Sequence, residues 1–166
     1  MSPFWSYLWP ALAIGLLVGA VAGTVAFRRE GRRIIALAVG LLVSLGLAMA
    51  WHGPIGAASR FSSIVERSAR TTLDDLEMTK IQAHLHHAPL TRHLILSGPA
   101  DDFQTSELAR IMSQLPGVSR AQWAATPAGL PLILEGAGVA ALGFLIGSLL
   151  AYFFDLRRRY NSQWNW

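Results

Sequence analysis

The chain has 166 residues, 52% of them hydrophobic and 14% charged, where an average soluble domain carries roughly a quarter charged residues. It contains no cysteine, which excludes disulfides, thiolate metal sites and thiol catalysis. The net charge of +4 does not point to nucleic acid, because the segment 52–130 holds seven basic and seven acidic residues and has no basic stripe to track phosphates. The excess sits in two arginine clusters beside apolar blocks, as membrane topology requires.

Leu8 to Phe27 is twenty residues without a charge, enough at 1.5 Å per residue to cross a hydrocarbon core of about 30 Å. Trp5, Tyr7 and Trp9 lie at its start, where amphipathic rings favour the headgroup level. Pro10 falls near the expected first turn, where its missing N–H costs little. The competing reading is a cleaved signal peptide, with Thr24-Val25-Ala26 as a small-residue cleavage site. Against it, no basic region precedes the apolar run, and the arginines follow it. Arg28, Arg29, Glu30, Gly31, Arg32 and Arg33 make a short basic link. Ile34 to Trp51 is a second span of eighteen residues. The region 1–51 is thus expected to be a transmembrane hairpin with a cytoplasmic loop.

Residues 52–59 form a turn-rich linker. From Arg60 the period becomes helical through Phe61, Ile64, Val65, Ala69, Thr72, Leu73 and Leu76, which predicts a helix ending near Leu76. It then changes to two. Ile81, Ala83 and Leu85 alternate with Lys80, Gln82, His84 and His86, the pattern of a half-buried strand. A turn at His87 to Leu90 leads to a second strand, Arg92 to Ser97, which Gly98-Pro99 stops. Asp101 or Asp102 is placed to cap a helix that buries Phe103, Leu108, Ile111, Met112 and Leu115 and ends at Pro116-Gly117. Val118 to Ala124 reads as a last short strand. The domain 60–124 is small enough for a single core to be marginal.

After a linker at 125–129, Leu130 to Phe154 is a third apolar run of twenty-five residues, interrupted only by Glu135. Asp155-Leu156-Arg157-Arg158-Arg159 closes it and begins a basic, aromatic tail, 155–166. Arg28, Arg29, Arg32, Arg33, Arg157, Arg158 and Arg159 set one topology and touch anionic headgroups. The N-terminus and the 52–130 domain lie outside, and the hairpin loop and C-terminus inside. The expected fold class is a membrane protein of three transmembrane α-helices with a small αββαβ domain outside the bilayer. The expected place is a Gram-negative inner membrane with the domain in the periplasm.

The order helix–strand–strand–helix–strand, with Leu94-Ile95-Leu96-Ser97-Gly98 closing the second strand and Leu115-Pro116-Gly117-Val118 joining helix to last strand, resembles the BON domain. That family takes its name from an osmotically induced periplasmic protein and nodulation proteins, and the resemblance covers about 60 of the 166 residues. It implies a small, non-catalytic envelope domain with phospholipid or protein partners, and it carries no catalytic residue to this chain. The family commonly places Gly in the hairpin between its first two strands. Here that turn is built around Pro89, which leaves the register of the pair open.

Three constellations carry chemistry. If the strands form, His84, His86 and His93 share the outer face of the sheet, either as a zinc or copper site or as a sensor titrating near pH 6 to 7. The plain alternative is a polar sheet face that uses histidine. Small residues recur every four positions at Gly15, Gly19 and Gly23, at Ala36, Gly40, Ser44 and Ala48, and at Gly143, Gly147 and Ala151. Such faces let helix backbones approach closely in lipid, against one another or against partner subunits. Glu135 is the one ionisable residue in a span, a turn or two from its outer end, where headgroup level makes it ordinary. No nucleophile motif or phosphate loop is present, and Asp101-Asp102 reads as a helix cap.

The expectation is a non-enzymatic scaffold or accessory subunit with no cofactor. It binds the lipid bilayer and a membrane-protein partner or a second copy of itself; an electron-transfer or photosynthetic complex is a natural host. The alternatives are the histidine-based sensor and an envelope-maintenance protein that acts alone.

Overall fold

A computed structural model describes residues 2–28, 30–123 and 129–162. Arg29, Ala124 at the end of the expected last strand, residues 125–128 of the second linker, and the tail tryptophans Trp164 and Trp166 lie outside the described residues. The chain divides into two compact units. One comprises Met1–Tyr7 and Gly56–Glu135, the other Leu8–Ile55 and Gly136–Trp166.

Among the described residues three helices are long and apolar enough to cross a membrane: α1 (Pro3–Arg28), α2 (Arg33–His52) and α5 (Leu132–Ser162). A single 3-10 turn, Glu30–Arg32, links the first two. Two boundaries differ from expectation. Helix α1 begins five residues before the apolar run, so Pro10 lies inside it and leaves the Ser6 carbonyl without its helical donor. Helix α5 continues through the arginine cluster, because Asp155 and Arg159 pair at i, i+4 (2.7 Å) and favour further turns. The charges end the apolar run but not the helix.

In the other unit, α3 (Ala57–Asp75), β1 (Gln82–His87), β2 (Leu90–Ser97), α4 (Asp102–Ser113) and β3 (Arg120–Trp123) follow in the αββαβ order. The sheet order is β1-β2-β3, with β1 antiparallel and β3 parallel to β2. The register pairs Leu85 with Leu94 and Ala83 with Leu96. It also pairs Leu94 with Ala121 and Leu96 with Trp123. These residues share one face, since side chains alternate along a strand. The core under that face comes from Phe61, Val65, Ala69 and Leu73 of α3, Leu108 and Met112 of α4, and Ile81, all buried.

Local chemistry fixes the joints. Asp101 caps α4: its Oδ1 accepts from the Gln104 N–H (2.7 Å), and the Gln104 side chain accepts in return from the Asp101 N–H (3.2 Å). Gly98 and Gly117 both have positive φ, at 136° and 100°. A Cβ on Gly98 would sit 2.7 Å from the Lys80 carbonyl oxygen, and one on Gly117 2.9 Å from Val65 Cγ2. Both positions therefore require glycine for backbone angle and for space.

One core expectation fails. Phe103 is 75% exposed. Leu108 and Met112, four apart, set the buried stripe of α4, and Phe103 lies about 140° around the helix from Leu108 at 100° per residue.

Candidate functional site

The histidine face does not assemble a metal centre. His84 pairs with Ile95 across the sheet, and the β1–β2 register shifts between Leu85 and His87. His86 Nδ1 lies 2.9 Å from the Pro89 carbonyl oxygen, which can only accept, so that nitrogen donates and is committed to the turn. His93 packs against Gly129: a Cβ built on Gly129 would lie 2.8 Å from His93 Nε2. Partial burial pushes the His93 pKa below its ordinary value, helped by the charges of Arg120 and Arg92 and by His86. Two flanking guanidiniums oppose a cation at that ring. Among the described residues no group of three His, Cys, Asp or Glu side chains could hold a metal ion. Of the readings the sequence leaves open for His84, His86 and His93, this geometry favours a polar sheet face over a shared metal site.

The remaining histidine of that region, His87, has a role the sequence did not single out. Glu66 of α3 reaches the edge strand β1, where its Oε1 accepts the Leu85 N–H at 2.9 Å. The same oxygen lies 3.0 Å from His87 Nε2. The carboxylate thereby satisfies an edge N–H that would otherwise be open to another strand.

Glu135, the ionisable residue of the third apolar run, has an ion-pair partner that its sequence neighbours do not name. It pairs with Arg92 of β2, Nε to Oε2 3.1 Å, with about four-fifths of each side chain covered. The single Nε–H is directed at Oε1 (3.3 Å). Oε2 is nearer but takes no hydrogen bond, so its contact is Coulombic. The guanidinium carbon of Arg92 also lies 4.0 Å over the Phe4 ring, within cation–π range. Tyr7 is buried beside this cluster, its hydroxyl donating weakly to the Leu132 carbonyl (3.4 Å) and its ring 6.3 Å from Phe61.

In the helical unit the small residues bring backbones together. A Cβ on Gly15 or Gly19 of α1 would overlap the carbonyl groups of Ala140 and Phe144 of α5. A Cβ on Gly143 or Gly147 of α5 would overlap the carbonyls of Leu12 and Leu16 of α1. Gly23 faces Ala151 and Ser148. Gly40 of α2 has the Ala22 methyl on one side and the Phe144 ring on the other, and Ser44 is fully buried with its hydroxyl 3.5 Å from the Ala140 carbonyl. These faces meet one another within the chain.

On the outward faces of α1 and α2 large aliphatic side chains predominate. Leu17, Val21, Val25, Val39, Leu42, Val43 and Leu47 are exposed on α1 and α2. Between those two helices lies an open apolar groove of about 470 Å³, walled by Leu17, Val21 and Val25 on one side and Val39 and Val43 on the other. Arg28, Arg32 and Arg33 lie at the joined ends of α1 and α2, and Arg157, Arg158 and Arg159 on the last turns of α5.

No family model, no curated protein and no solved structure matches this chain. The class is therefore defined by its own architecture: three long apolar helices that could span a membrane, with a small mixed three-stranded sheet unit.

Proposed function

We propose that the chain is a non-enzymatic integral membrane scaffold or accessory subunit. Its three spans cross a bacterial inner membrane and pack in a larger complex. Its αββαβ domain, read as BON-like, binds a protein or lipid partner on the periplasmic side.

The groove between α1 and α2 carries this reading. The glycine faces of α1 and α5 already meet each other within the chain, yet an apolar groove of side-chain dimensions stays open beside Ala36 and Gly40 of α2. Its walls alternate β-branched and small residues, a surface suited to the side chains of a partner's membrane-spanning helix. The shared orientation of the two arginine clusters has support as well. Arg159 Nη2 donates to the Phe27 carbonyl at 3.2 Å, which brings the end of α1 and the basic part of α5 to the same end of the helical unit. The positive-inside rule needs them on one side. For the domain, Gly98 and Gly117, the glycines of the two BON-like motifs, each combine a positive φ with a neighbour under 3.0 Å from where a Cβ would stand.

The test is purification of the tagged full chain from its own membranes in mild detergent. The reading expects a stoichiometric membrane complex. A monomer that migrates alone contradicts it and favours an envelope protein acting by itself.

A further inference from the structure

A recess of about 280 Å³ opens where α1 ends and α5 turns polar, lined by Thr24, Arg28, Ala151, Phe154, Asp155 and Arg158. Arg159 deals with the neighbouring groups. Its Nε donates to Asp155 Oδ2 at 2.7 Å, matching that carboxylate, and its Nη2 donates to the Phe27 carbonyl at 3.2 Å, closing the end of α1. The Thr24 hydroxyl donates back to the Val21 carbonyl at 2.7 Å. Arg28 and Arg158 then remain, and among the described residues neither makes a hydrogen bond or an ion pair. The recess presents two guanidiniums with no carboxylate of their own, beside the apolar surfaces of Ala151 and Phe154.

We propose that this recess binds the phosphate of an anionic glycerophospholipid. Guanidinium forks match phosphate oxygens in geometry and charge. The carbonyl end of α1 opposes an anion, but Arg159 covers it in part, and two further positive charges face the site. The apolar side favours a lipid over a free ion: Phe154 is largely exposed, a surface that the glycerol and acyl portion of a lipid can cover and a free ion cannot. Arg32 and Arg33 carry the same charge but do not line the recess. This inference rests on the reading that α1 and α5 cross a membrane.

The experiment uses the full chain in mild detergent and reads bound lipid by native mass spectrometry. The probes are phosphatidylglycerol, phosphatidylcholine and inorganic phosphate. The proposal expects phosphatidylglycerol to be retained in preference to the other two. The variant R28Q/R158Q should weaken that retention about tenfold or more, the scale of lost charge-assisted hydrogen bonds, whereas R32Q/R33Q should change it by less than about threefold. R28K/R158K, which keeps the charge, should recover part of the loss and guards against a folding artefact. Equal losses in R28Q/R158Q and R32Q/R33Q would overturn the site in favour of diffuse attraction. Retention of phosphatidylcholine as strong as that of phosphatidylglycerol would overturn it too, and inorganic phosphate held equally well would make it a free-anion site. Alkaline extraction of the source membranes separates the two levels. Release of the chain overturns the membrane reading and this site together; retention with no lipid preference overturns this site alone.

Discussion

Arg92 on β2 and Glu135 in the first turn of α5 form a mostly covered ion pair across 43 residues of sequence, with Phe4 beneath the guanidinium. The pair joins the central strand of the sheet to the start of an apolar helix within one compact unit. Removing either charge leaves the other covered. E135Q or R92Q should each destabilise that unit by about 1–3 kcal/mol, the scale of a hydrogen bond to a charged group that loses its partner. The double variant should lose less than the sum. Thermal melts of the four proteins in one detergent give the coupling energy, and additive losses would show that the pair contributes nothing.

The glycines separate into two classes with opposite expectations. Gly15 and Gly143 meet backbone where a Cβ would stand, whereas Gly46 and Gly138 have nothing within 4 Å. Ala at Gly15 or Gly143 should therefore destabilise the helical unit by about 1–3 kcal/mol through overpacking. Ala at Gly46 or Gly138 should be neutral or stabilising by up to about 1 kcal/mol, from intrinsic helix preference. Melting temperatures of the four single variants in detergent decide it.

Glu66 makes a prediction local to β1. In E66A the Leu85 N–H loses its acceptor, at a cost of about 1 kcal/mol. Hydrogen exchange at Leu85 should quicken relative to Leu94, which lies on the central strand. Equal protection in both proteins would contradict this account of the sheet edge.

The lowered pKa of His93 sets the expected sign of one pH dependence of the unit. Its pKa is lowered in the folded state, first by burial and then by Arg120, Arg92 and His86. The unfolded chain therefore binds the proton more readily, and folding stability rises with pH. Stability is full above the ordinary histidine value of about 6.5 and is lost as pH falls through that value toward the lower folded one. H93Q should flatten this part of the curve. The ring is partly exposed, so solvent screening keeps the amplitude small.

Much of this architecture was legible because it is local. Three uncharged runs, a change of apolar period from helical to alternating at Ile81, and an aspartate cap at Asp101 or Asp102 are all read within a few residues. What was missed is long-range or depends on helix phase. Nothing near Glu135 names Arg92, since their meeting depends on the sheet's placement against the start of α5. Phe103 fits an apolar helix but falls off the stripe that Leu108 and Met112 define. The histidines do alternate outward on β1, but the shift after Leu85 and the bond from His86 to the Pro89 carbonyl break the symmetry a shared metal would need. The glycine periodicity announced close packing without naming its partner, and that partner is another helix of the same chain.

The central claim, a scaffold whose α1–α2 groove receives a partner's helix, is tested most directly by filling the groove. V21W and V39W place bulk on its two walls, at positions already exposed, and each variant is purified in mild detergent beside the wild type, with the mass of the complex measured. The account predicts that the wild type carries a stoichiometric membrane partner. Both variants should lose it while staying in the membrane fraction and melting like the wild type. A complex unchanged in mass by both substitutions, or a wild type that runs as a lone monomer, would contradict it.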